Sequence, residues 1–297
     1  MRRRNQDAVL QTLKVESKSE LLAFLLEQKV RKSRNAVKSL LANKVVRVNE
    51  KAVTQFNEEL KAGDIVTIHK LSANSNANKL KGLTILYEDP DLIVVDKEAK
   101  LLSISTDTEK RQTAYSILSE YLKSHDRNAR VFVLHRLDRD TSGLMVFAKD
   151  QEVQERMQKF WDYTIRKRSY IAIIEGNLEP ADGTITSWLW EDKNFVMHSS
   201  PVDNGGQKAV THYKTIKANE WLSMLQLDLE TGRKNQIRVQ MQQIGHPIVG
   251  DKKYGSEINP IKRMALHANE LVFIHPGTKE RMEFKSPIPK KMQELMK

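Results

Sequence analysis

The sequence of 297 residues contains no cysteine. This absence excludes a disulfide framework, catalysis by a thiolate nucleophile and zinc sites built from thiolates. It also fits a reducing compartment, and we therefore expect a cytoplasmic protein. No run of about 18 apolar residues occurs, which excludes a membrane-spanning helix. The basic N-terminal segment lacks the apolar core of a secretory signal, so we expect none.

Two kinds of cofactor site are missing as well. The sequence has no Walker phosphate-binding loop and no glycine-rich dinucleotide fingerprint, and its eight histidines lack the spacing of metal ligands. We therefore expect neither a cofactor nor a metal. What the sequence does have is positive charge, since 49 Lys and Arg against 38 Asp and Glu give a formal net charge of +11. Such an excess favours a polyanionic partner, nucleic acid before an anionic membrane.

Residues 1–70 have the pattern of a small α+β domain. Ser17 and Glu20 have the spacing of a capping box ahead of the apolar stretch LLAFLLEQ, which predicts a helix. SRNAVKSLLAN, 33–43, predicts a second helix with its apolar residues on one face. VVRVNEKAV then predicts a hairpin that turns at Asn-Glu, and LKAGDIVTIHK predicts a turn followed by a last strand.

This order of elements resembles the alpha-L motif, the RNA-binding fold of ribosomal protein S-four. The resemblance implies a basic RNA-binding face with Arg31, Arg34 and Lys38, which are neighbours on the predicted second helix. The alternative is a generic small α+β domain with a solvated basic face. Residues 71–82, LSANSNANKLKG, lack periodicity and predict a flexible linker to a second domain, 83–297.

The second domain is also predicted to be α+β. Short strands alternate with turns and a few helices, so we expect a mixed, mainly antiparallel sheet with flanking helices and loops. Within it lies VLHRLDRDTSGLMVFAKD, 133–150, in which two apolar runs flank a polar turn. Asp138 and Asp140 stand there among Arg136 and Arg139. This density of opposite charge indicates either a structural ion-pair knot or a functional site.

Five motifs in order favour a functional site. They are VVDKEAKLLSIS, HRLDRDTSG, KRSYIAIIEG, TGRKNQIR with GHPIVGDKKYG, and LHANELVFIHP. HRLDRDTSG is the signature of the RluA-type pseudouridine synthases, and the other motifs recur in the order of that family, so the resemblance covers essentially all of 83–297. It implies the pseudouridine synthase fold and the isomerisation of uridine to pseudouridine in RNA. An N-terminal alpha-L motif is also common in this family.

The resemblance implies three catalytic residues. Asp138 matches the family's essential aspartate, which either attacks the ribose as a nucleophile or removes a ribose proton on a route through a glycal. Arg238 matches the arginine that pairs with this aspartate and keeps it ionised despite burial. Tyr170 matches the tyrosine that packs on the uracil and assists loss of the proton from ring carbon 5. A phenol with a pKa of about 10 is a poor base at neutral pH, so a proton relay or an altered environment is required.

Further roles follow from the same resemblance. Arg136 is expected to fill the position that the extruded uridine leaves in the RNA. Leu266 is expected to form an apolar wall under the base, although a core leucine is the default reading of a lone residue. Arg139 and Asp140 are expected to brace the loop as an ion pair, and 141–143 to form its turn.

The chain departs from the family pattern in two of the motifs. Asn235 and Gln240 replace two histidines that are common in the fourth motif. Glu98 and Lys100 stand where proline and glycine are usual in the first. The residues to which we assign structural roles are His135, His267 and the turn at Gly250-Asp251.

We therefore predict an RNA pseudouridine synthase that acts on large-subunit ribosomal RNA, since relatives with the alpha-L motif tend to do so. Transfer RNA is the alternative substrate. Two other classes of protein stay open, a non-catalytic RNA-binding or ribosome-assembly factor and a glycosidase that releases uracil. A monomer is the default oligomeric state, and we expect no membrane partner.

Overall fold

A computed structural model of the chain describes residues 9–30, 34–42, 45–69, 78–105 and 112–297. Within these ranges the strands fall into two units, before and after residue 70, that share no strand pairing. No helix in the described ranges is long and apolar enough to cross a membrane.

The first unit combines two helices with short antiparallel strands. Its helices are α1 Leu21–Glu27 and α2 Arg34–Ala42. Its strands are β1 Val9–Lys14, β2 Ser19–Glu20, β3 Val46–Val48, β4 Lys51–Ala52, β5 Glu59–Leu60 and β6 Ile65–His69. Four of the strands form a sheet in the order β1-β6-β3-β4, and β2 pairs with β5 separately. The apolar face of α2 is buried in a core of its own between these elements.

Local signals in this unit succeed at the hairpin and fail at the first helix. Asn49 and Glu50 both have left-handed φ angles, 48° and 68°, which is the geometry of a tight two-residue hairpin and confirms the predicted turn. The predicted capping box is wrong. The chain stays extended through Glu20 because β2 pairs with β5, so α1 begins at Leu21 and Glu20 makes no side-chain cap hydrogen bond.

The second unit is built on one large sheet. Its strands are β7 Asn78–Leu80, β8 Leu83–Glu88, β9 Leu92–Lys97, β10 Phe132–Val133, β11 Ser142–Ala148, β12 Ile165–Glu175, β13 Asp182–Glu191, β14 Met197–Ser200, β15 Gln207–Ala218, β16 Leu222–Leu229, β17 Leu266–Ile274 and β18 Arg281–Lys285. The main path is β14-β13-β15-β16-β12-β17-β11-β9-β8-β7, with β10 paired to β11 and β18 to β17. Among the described strands β11 and β17 pair in parallel and the other neighbours antiparallel. The predicted mixed, mainly antiparallel α+β fold is confirmed.

Few helices accompany this sheet. They are α3 Ala114–His125, α4 Gln151–Lys159, α5 Trp161–Thr164, α6 Gln236–Gln243 and α7 Lys290–Glu294, with a 3-10 turn at Lys252–Tyr254. The sheet begins with β7, so its first strand lies inside the segment 71–82 that we predicted as linker. Asn78 to Leu80 pair with the start of β8 across a turn at Gly82.

The central strands approach each other closely at Gly143. All seven residues of β11 are buried, as expected for a strand covered on both faces. Gly143 pairs with Ala268 in parallel at φ +114°, and a Cβ there would lie 2.1 Å from the Ala268 carbonyl oxygen. Only glycine fits this position. The turn therefore ends at Thr141, whose N–H donates to the Asp138 carbonyl over 3.2 Å, and our placing of Ser142 and Gly143 in the turn is wrong.

Candidate active site

A cleft of about 610 Å³ opens where β12, β17 and α6 meet the turn between β10 and β11. The five residues to which we assigned catalytic or substrate-binding roles in the second domain all line it. They are Arg136, Asp138, Tyr170, Arg238 and Leu266. These residues are as much as 130 positions apart along the chain (136 to 266), and the fold brings them to one place.

The turn that carries Asp138 is fixed at the residue before it. Leu137 is buried, its N–H donates to Ser103 Oγ over 3.0 Å, and its carbonyl accepts from the same hydroxyl over 2.6 Å. Ser103 itself is buried in the first motif. The backbone of Leu137 is thereby held at both its N–H and its carbonyl, which fixes the point from which the Asp138 carboxylate projects into the cleft.

Lys97, in the first motif, anchors the same turn. Its side chain is fully buried, and its Nζ donates to the carbonyl oxygens of Glu98, Leu101 and Arg139, at 3.1, 2.7 and 3.2 Å. Burial lowers the pKa of Lys97 from 10.5 to about 7, and the charge of Asp138 opposes this only in part. The first motif and the signature turn are thus joined through one ammonium group.

Arg238 lies on α6 and binds two carboxylates. Its Nη1 donates to Asp138 Oδ2 over 3.0 Å, while its Nε and Nη2 donate to the two oxygens of Asp251 over 2.6 and 2.8 Å. Burial by itself would lower the pKa of Arg238, but the hydrogen bonds and charges of Asp251 and Asp138 outweigh it and raise the pKa above its ordinary value. Asp138, with 27% of its side chain exposed, therefore faces a permanent cation.

A second layer of contacts orients the Arg238 side chain. Asn235 has left-handed φ just before α6; its Oδ1 accepts from Arg238 Nη1 over 3.2 Å and its Nδ2 donates to the Tyr254 hydroxyl over 2.8 Å. The Tyr254 ring lies under the guanidinium, 4.8 Å from Cζ to ring centroid. Our reading of Gly250-Asp251 as a turn was incomplete, since the Asp251 side chain, 2% exposed, is the bidentate partner of Arg238. The sequence offered one signal for this role. Asp251 is an acidic residue in the same motif as Arg238, TGRKNQIR with GHPIVGDKKYG.

Tyr170 occupies the middle of β12, between Leu227 of β16 and Ala268 of β17. Burial raises the pKa of Tyr170 above its ordinary value of 10; Arg168 opposes this shift and Asp138 adds to it. The phenol is therefore neutral throughout the physiological range. The fold therefore does not lower the pKa of Tyr170, although an altered environment was one of the two options we named.

Arg168 is a cleft residue that our sequence analysis missed. It stands two positions before Tyr170 on β12 and therefore on the same face of the sheet. Its Nη2 donates to the Glu230 carbonyl over 3.3 Å, and its Cζ lies 5.8 Å from the Trp161 ring centroid. The available signal was the alternation of the strand, which places positions 168 and 170 side by side.

The two predicted substrate-contact residues differ in exposure. Arg136 is exposed at the cleft and forms no ion pair within the described ranges, so its guanidinium can reach a bound molecule. Leu266 is 3% exposed and belongs to the apolar core as well as to the cleft wall. The apolar wall and the core leucine that we weighed against each other are thus one and the same residue.

The residues given structural roles make the contacts expected of them. His135 Nε2 accepts from the Val146 N–H over 3.1 Å, and burial lowers its pKa to about 3, so the ring is neutral. His267 Nδ1 lies 2.8 Å from Ser142 Oγ, and burial lowers its pKa to about 4. Arg139 and Asp140 form the expected ion pair, 3.1 Å between Nη2 and Oδ2, at the surface.

The departures from the family pattern have local explanations, except at Lys100. The Glu98 N–H donates to the Gly82 carbonyl over 2.9 Å, a bond that proline could not make. Lys100 has φ +73°, the conformation that favours glycine. Gln240 is fully buried; its Oε1 accepts from Thr211 Oγ1 over 2.6 Å, and its Nε2 donates to Ser187 Oγ over 3.0 Å.

Two of the predicted RNA-binding residues of the first unit, Arg34 and Lys38, do not line the cleft. Arg34 and Lys38 are exposed on α2, and Lys38 Nζ lies 4.7 Å from the ring centroid of Phe56, itself 47% exposed. Arg31 lies outside the described residues. In the ranges that the structure covers, no three carboxylate, imidazole or thiol groups are placed to hold a metal ion.

Comparison with known proteins matches this cleft region to one family. Residues 91–243 match the family model described as RNA pseudouridylate synthase. Among curated proteins, the chain is 32% identical over 278 residues to the uncharacterized RNA pseudouridine synthase YhcT of Bacillus subtilis, covering 92% of this chain and 91% of that one. It is also 32% identical over 280 residues to the ribosomal large subunit pseudouridine synthase D of Buchnera aphidicola, covering 89% of each.

A solved structure shows the same fold. The human RNA pseudouridylate synthase domain containing 4 aligns with a TM-score of 0.58 at 21% identity, over 70% of this chain and 90% of that one. At this identity the likeness concerns the fold alone.

Proposed function

This chain belongs to the RNA pseudouridylate synthase family, RluA type, and we propose that it isomerises specific uridines of large-subunit ribosomal RNA. The isomerisation breaks the bond from uracil N1 to ribose C1′ and forms one from C5 to C1′. N1 gains a proton and C5 loses one, so atoms and electrons balance without a further reactant. The observation that carries the proposal is the ion pair of Asp138 with Arg238 beside Tyr170 in one cleft.

Asp138 is the group proposed to act at the sugar. Both routes considered, attack on C1′ and removal of a ribose proton, require an ionised carboxylate. Arg238 supplies the cation that keeps Asp138 ionised as RNA covers the cleft and removes water. Because Asp251 holds the other edge of the guanidinium, Arg238 also fixes where the Asp138 carboxylate points.

Tyr170 is proposed to pack on the detached uracil. With its pKa raised, the phenol does not remove the C5 proton as a phenolate at neutral pH. It therefore contributes a flat surface and a neutral hydroxyl that can pass a proton to or from a stronger base. Leu266 supplies the apolar wall on the next strand.

Arg136 is proposed to give access to the uridine. A stacked base must be extruded before a carboxylate can reach its sugar, at a cost of a few kcal/mol. An exposed guanidinium beside Asp138 can stack and hydrogen-bond in the vacated position. The turn would thus carry Asp138 for the chemistry and Arg136 for access.

The choice of ribosomal RNA rests on relatives and on charge. The Buchnera relative is named for the large ribosomal subunit, and the net charge of +11 suits a large polyanion. We propose that the first unit is an alpha-L domain that adds phosphate contacts through Arg34, Lys38 and Arg31. We also propose that the protein acts in the cytoplasm. RNA binding should then weaken steeply with salt.

Tritium release separates this function from its alternatives. Transcripts of large-subunit ribosomal RNA and of transfer RNA, each labelled with tritium at uridine C5, are incubated with the protein. We expect release from the ribosomal transcript and no free uracil. Release from transfer RNA alone would reassign the substrate, free uracil would indicate a glycosidase, and salt-sensitive binding without release would indicate a non-catalytic RNA-binding factor.

A further inference from the structure

The loop between β13 and β14 presents a phenylalanine to solvent in an unfavourable backbone conformation. Phe195 is 73% exposed and has φ +60°. A bulky residue in the left-handed region is a genuine outlier. Such strain persists where the surrounding structure enforces it, and it concentrates at functional sites.

The loop is well organised around Phe195. The Asp192 Oδ1 accepts from the N–H groups of Asn194 and Val196 over 2.8 and 2.9 Å, and Oδ2 lies 2.9 Å from His198 Nε2. The Phe195 N–H donates to the Asp192 carbonyl over 3.0 Å. The backbone that carries the exposed ring is therefore held in place by these hydrogen bonds.

Two lysines lie close to Phe195. Lys234 Nζ lies 6.0 Å from the ring centroid and also pairs with Glu191, while Lys253 Nζ donates to the Phe195 carbonyl over 3.4 Å. Lys193 and Lys253 are both exposed. An aromatic ring set among cations matches a nucleic acid strand, because bases stack on the ring while lysines neutralise phosphates.

The loop is continuous with the active site. Lys234 directly precedes Asn235, and Lys253 directly precedes Tyr254; these two neighbours hold the Arg238 side chain. The Met197 N–H, just after the loop, donates to the Tyr254 hydroxyl over 3.4 Å. A strand of RNA that places one nucleotide in the cleft can therefore lie next across Phe195.

We propose that Phe195 is a stacking platform for an unpaired base of the substrate RNA, flanking the uridine that enters the cleft. The inference rests on the proposed function, since it takes RNA as the ligand. A single aromatic ring that stacks one base strengthens binding by about 5- to 150-fold. The platform would favour targets whose neighbouring nucleotide is unpaired, and would so contribute to substrate choice.

Phe195→Asn is the test variant because Asn removes the ring and tolerates the left-handed conformation. Its Kd for an unmodified large-subunit ribosomal RNA transcript is measured in an Asp138→Asn background, so that no reaction intervenes. We expect Kd to rise about 10-fold, with a Tm unchanged or raised because backbone strain is relieved. Phe195→Trp should bind at least as tightly as the parent.

Trp221→Ala is the matched control. Trp221 is 72% exposed and precedes β16, whereas the cleft is at the other end of that strand at Leu229, so this change should leave Kd within about 2-fold of the parent. Equal binding by Phe195→Asn and the parent would overturn the proposal, as would equal weakening by Trp221→Ala or weaker binding by Phe195→Trp. Failure of the proposed function would be seen separately, as absence of tritium release by the wild type.

Discussion

Lys97 is buried and Arg238 is half-buried beside the turn that carries Asp138, and the two cations meet different partners. Arg238 faces two carboxylates and its pKa is raised. Among the described residues, Lys97 meets only carbonyl oxygens at hydrogen-bond distance, and burial lowers its pKa to about 7. The Arg238 side of the turn therefore supplies a permanent charge, whereas the Lys97 side mainly fixes the position of the backbone.

This difference indicates how a carboxylate can be kept reactive in a cleft. Loss of water raises the pKa of an unpaired carboxylate, and of these two cations only Arg238 keeps its charge at every working pH. Lys97 can lose its proton without leaving an anion unpaired, because the acceptors of its hydrogen bonds are carbonyl oxygens. Substitutions of Arg238 and of Lys97 should therefore have different effects on the reaction.

Among changes to the cations of the turn, the largest effect is expected from Arg238→Met, which removes the partner of Asp138. It leaves Asp138 without its partner and the buried Asp251 uncompensated, and breaking a buried pair costs about 3–5 kcal/mol. We expect the single-turnover rate of tritium release to fall by about 10³-fold, a loss comparable to removal of a preorganised charge-stabilising group. Urea unfolding measures the stability loss. Arg238→Lys keeps the charge but not the bidentate geometry. A tritium-release rate of Arg238→Met within 10-fold of the wild-type rate would refute the role of the cation.

A smaller effect is expected from Lys97→Met, which removes the three carbonyl contacts but leaves the Arg238 pair intact. The rate should fall by about 10-fold, equivalent to about 1.4 kcal/mol in the barrier, because the turn loses one of its anchors. RNA binding should be unchanged. A loss as large as that of Arg238→Met would show that Lys97 acts through its charge.

The pH dependence of stability separates the two sides further. The folded-state pKa of Lys97 is depressed to about 7 from 10.5, so between these values the unfolded chain binds the additional proton. The free energy of unfolding of the wild type should therefore rise with pH relative to Lys97→Met, by about 1.4 kcal/mol per pH unit between pH 8 and 10. Chemical denaturation of both proteins at each pH measures the difference. Parallel curves would mean that Lys97 has an ordinary pKa.

Lys100→Gly, in the same motif as Lys97, should stabilise the protein slightly. Lys100 is exposed with φ +73°, where a side chain costs about 1 kcal/mol relative to glycine. We expect the free energy of unfolding to increase by about that amount, with the rate of tritium release unchanged within about 2-fold. A decrease in stability would mean that the Lys100 side chain makes a contact worth more than the strain.

The smallest effect is expected from Arg139→Ala, in the same turn. The Arg139–Asp140 pair is exposed, with 63% of the arginine side chain accessible, and such pairs contribute about 0–1 kcal/mol. The change in the free energy of unfolding should stay below about 0.5 kcal/mol and disappear in 1 M salt. A larger loss of stability that persists in 1 M salt would mean that the Arg139–Asp140 pair contributes as a buried ion pair does.

The sequence allowed prediction of the reacting residues but not of what holds them. Asp138, Tyr170 and Arg238 lie in ordered motifs, so resemblance identifies them without a structure. Asp251 follows a glycine in the left-handed conformation and has the local pattern of a turn; only tertiary packing of that turn against α6 makes its carboxylate a partner of Arg238.

Local rules failed for a related reason. The Ser17 and Glu20 pattern fits a capping box, but strand pairing keeps that segment extended. Ser142 and Gly143 are turn-forming residue types, yet Gly143 is required by the contact of β11 with Ala268 on a strand more than a hundred residues later. Such contacts between distant segments override local propensity, and local periodicity carries no information about them.

The most direct test of the central claim is the single-turnover rate of tritium release by Asp138→Asn, with enzyme in excess over large-subunit ribosomal RNA labelled at uridine C5. The variant keeps the size of the side chain and leaves the Arg238–Asp251 pair in place, so its Tm and its Kd for RNA should match the wild type closely. We predict full release by the wild type and none by the variant. Release by Asp138→Asn at more than about 1% of the wild-type rate, a barrier increase below about 2.7 kcal/mol, would contradict the assignment of Asp138 as the reacting carboxylate.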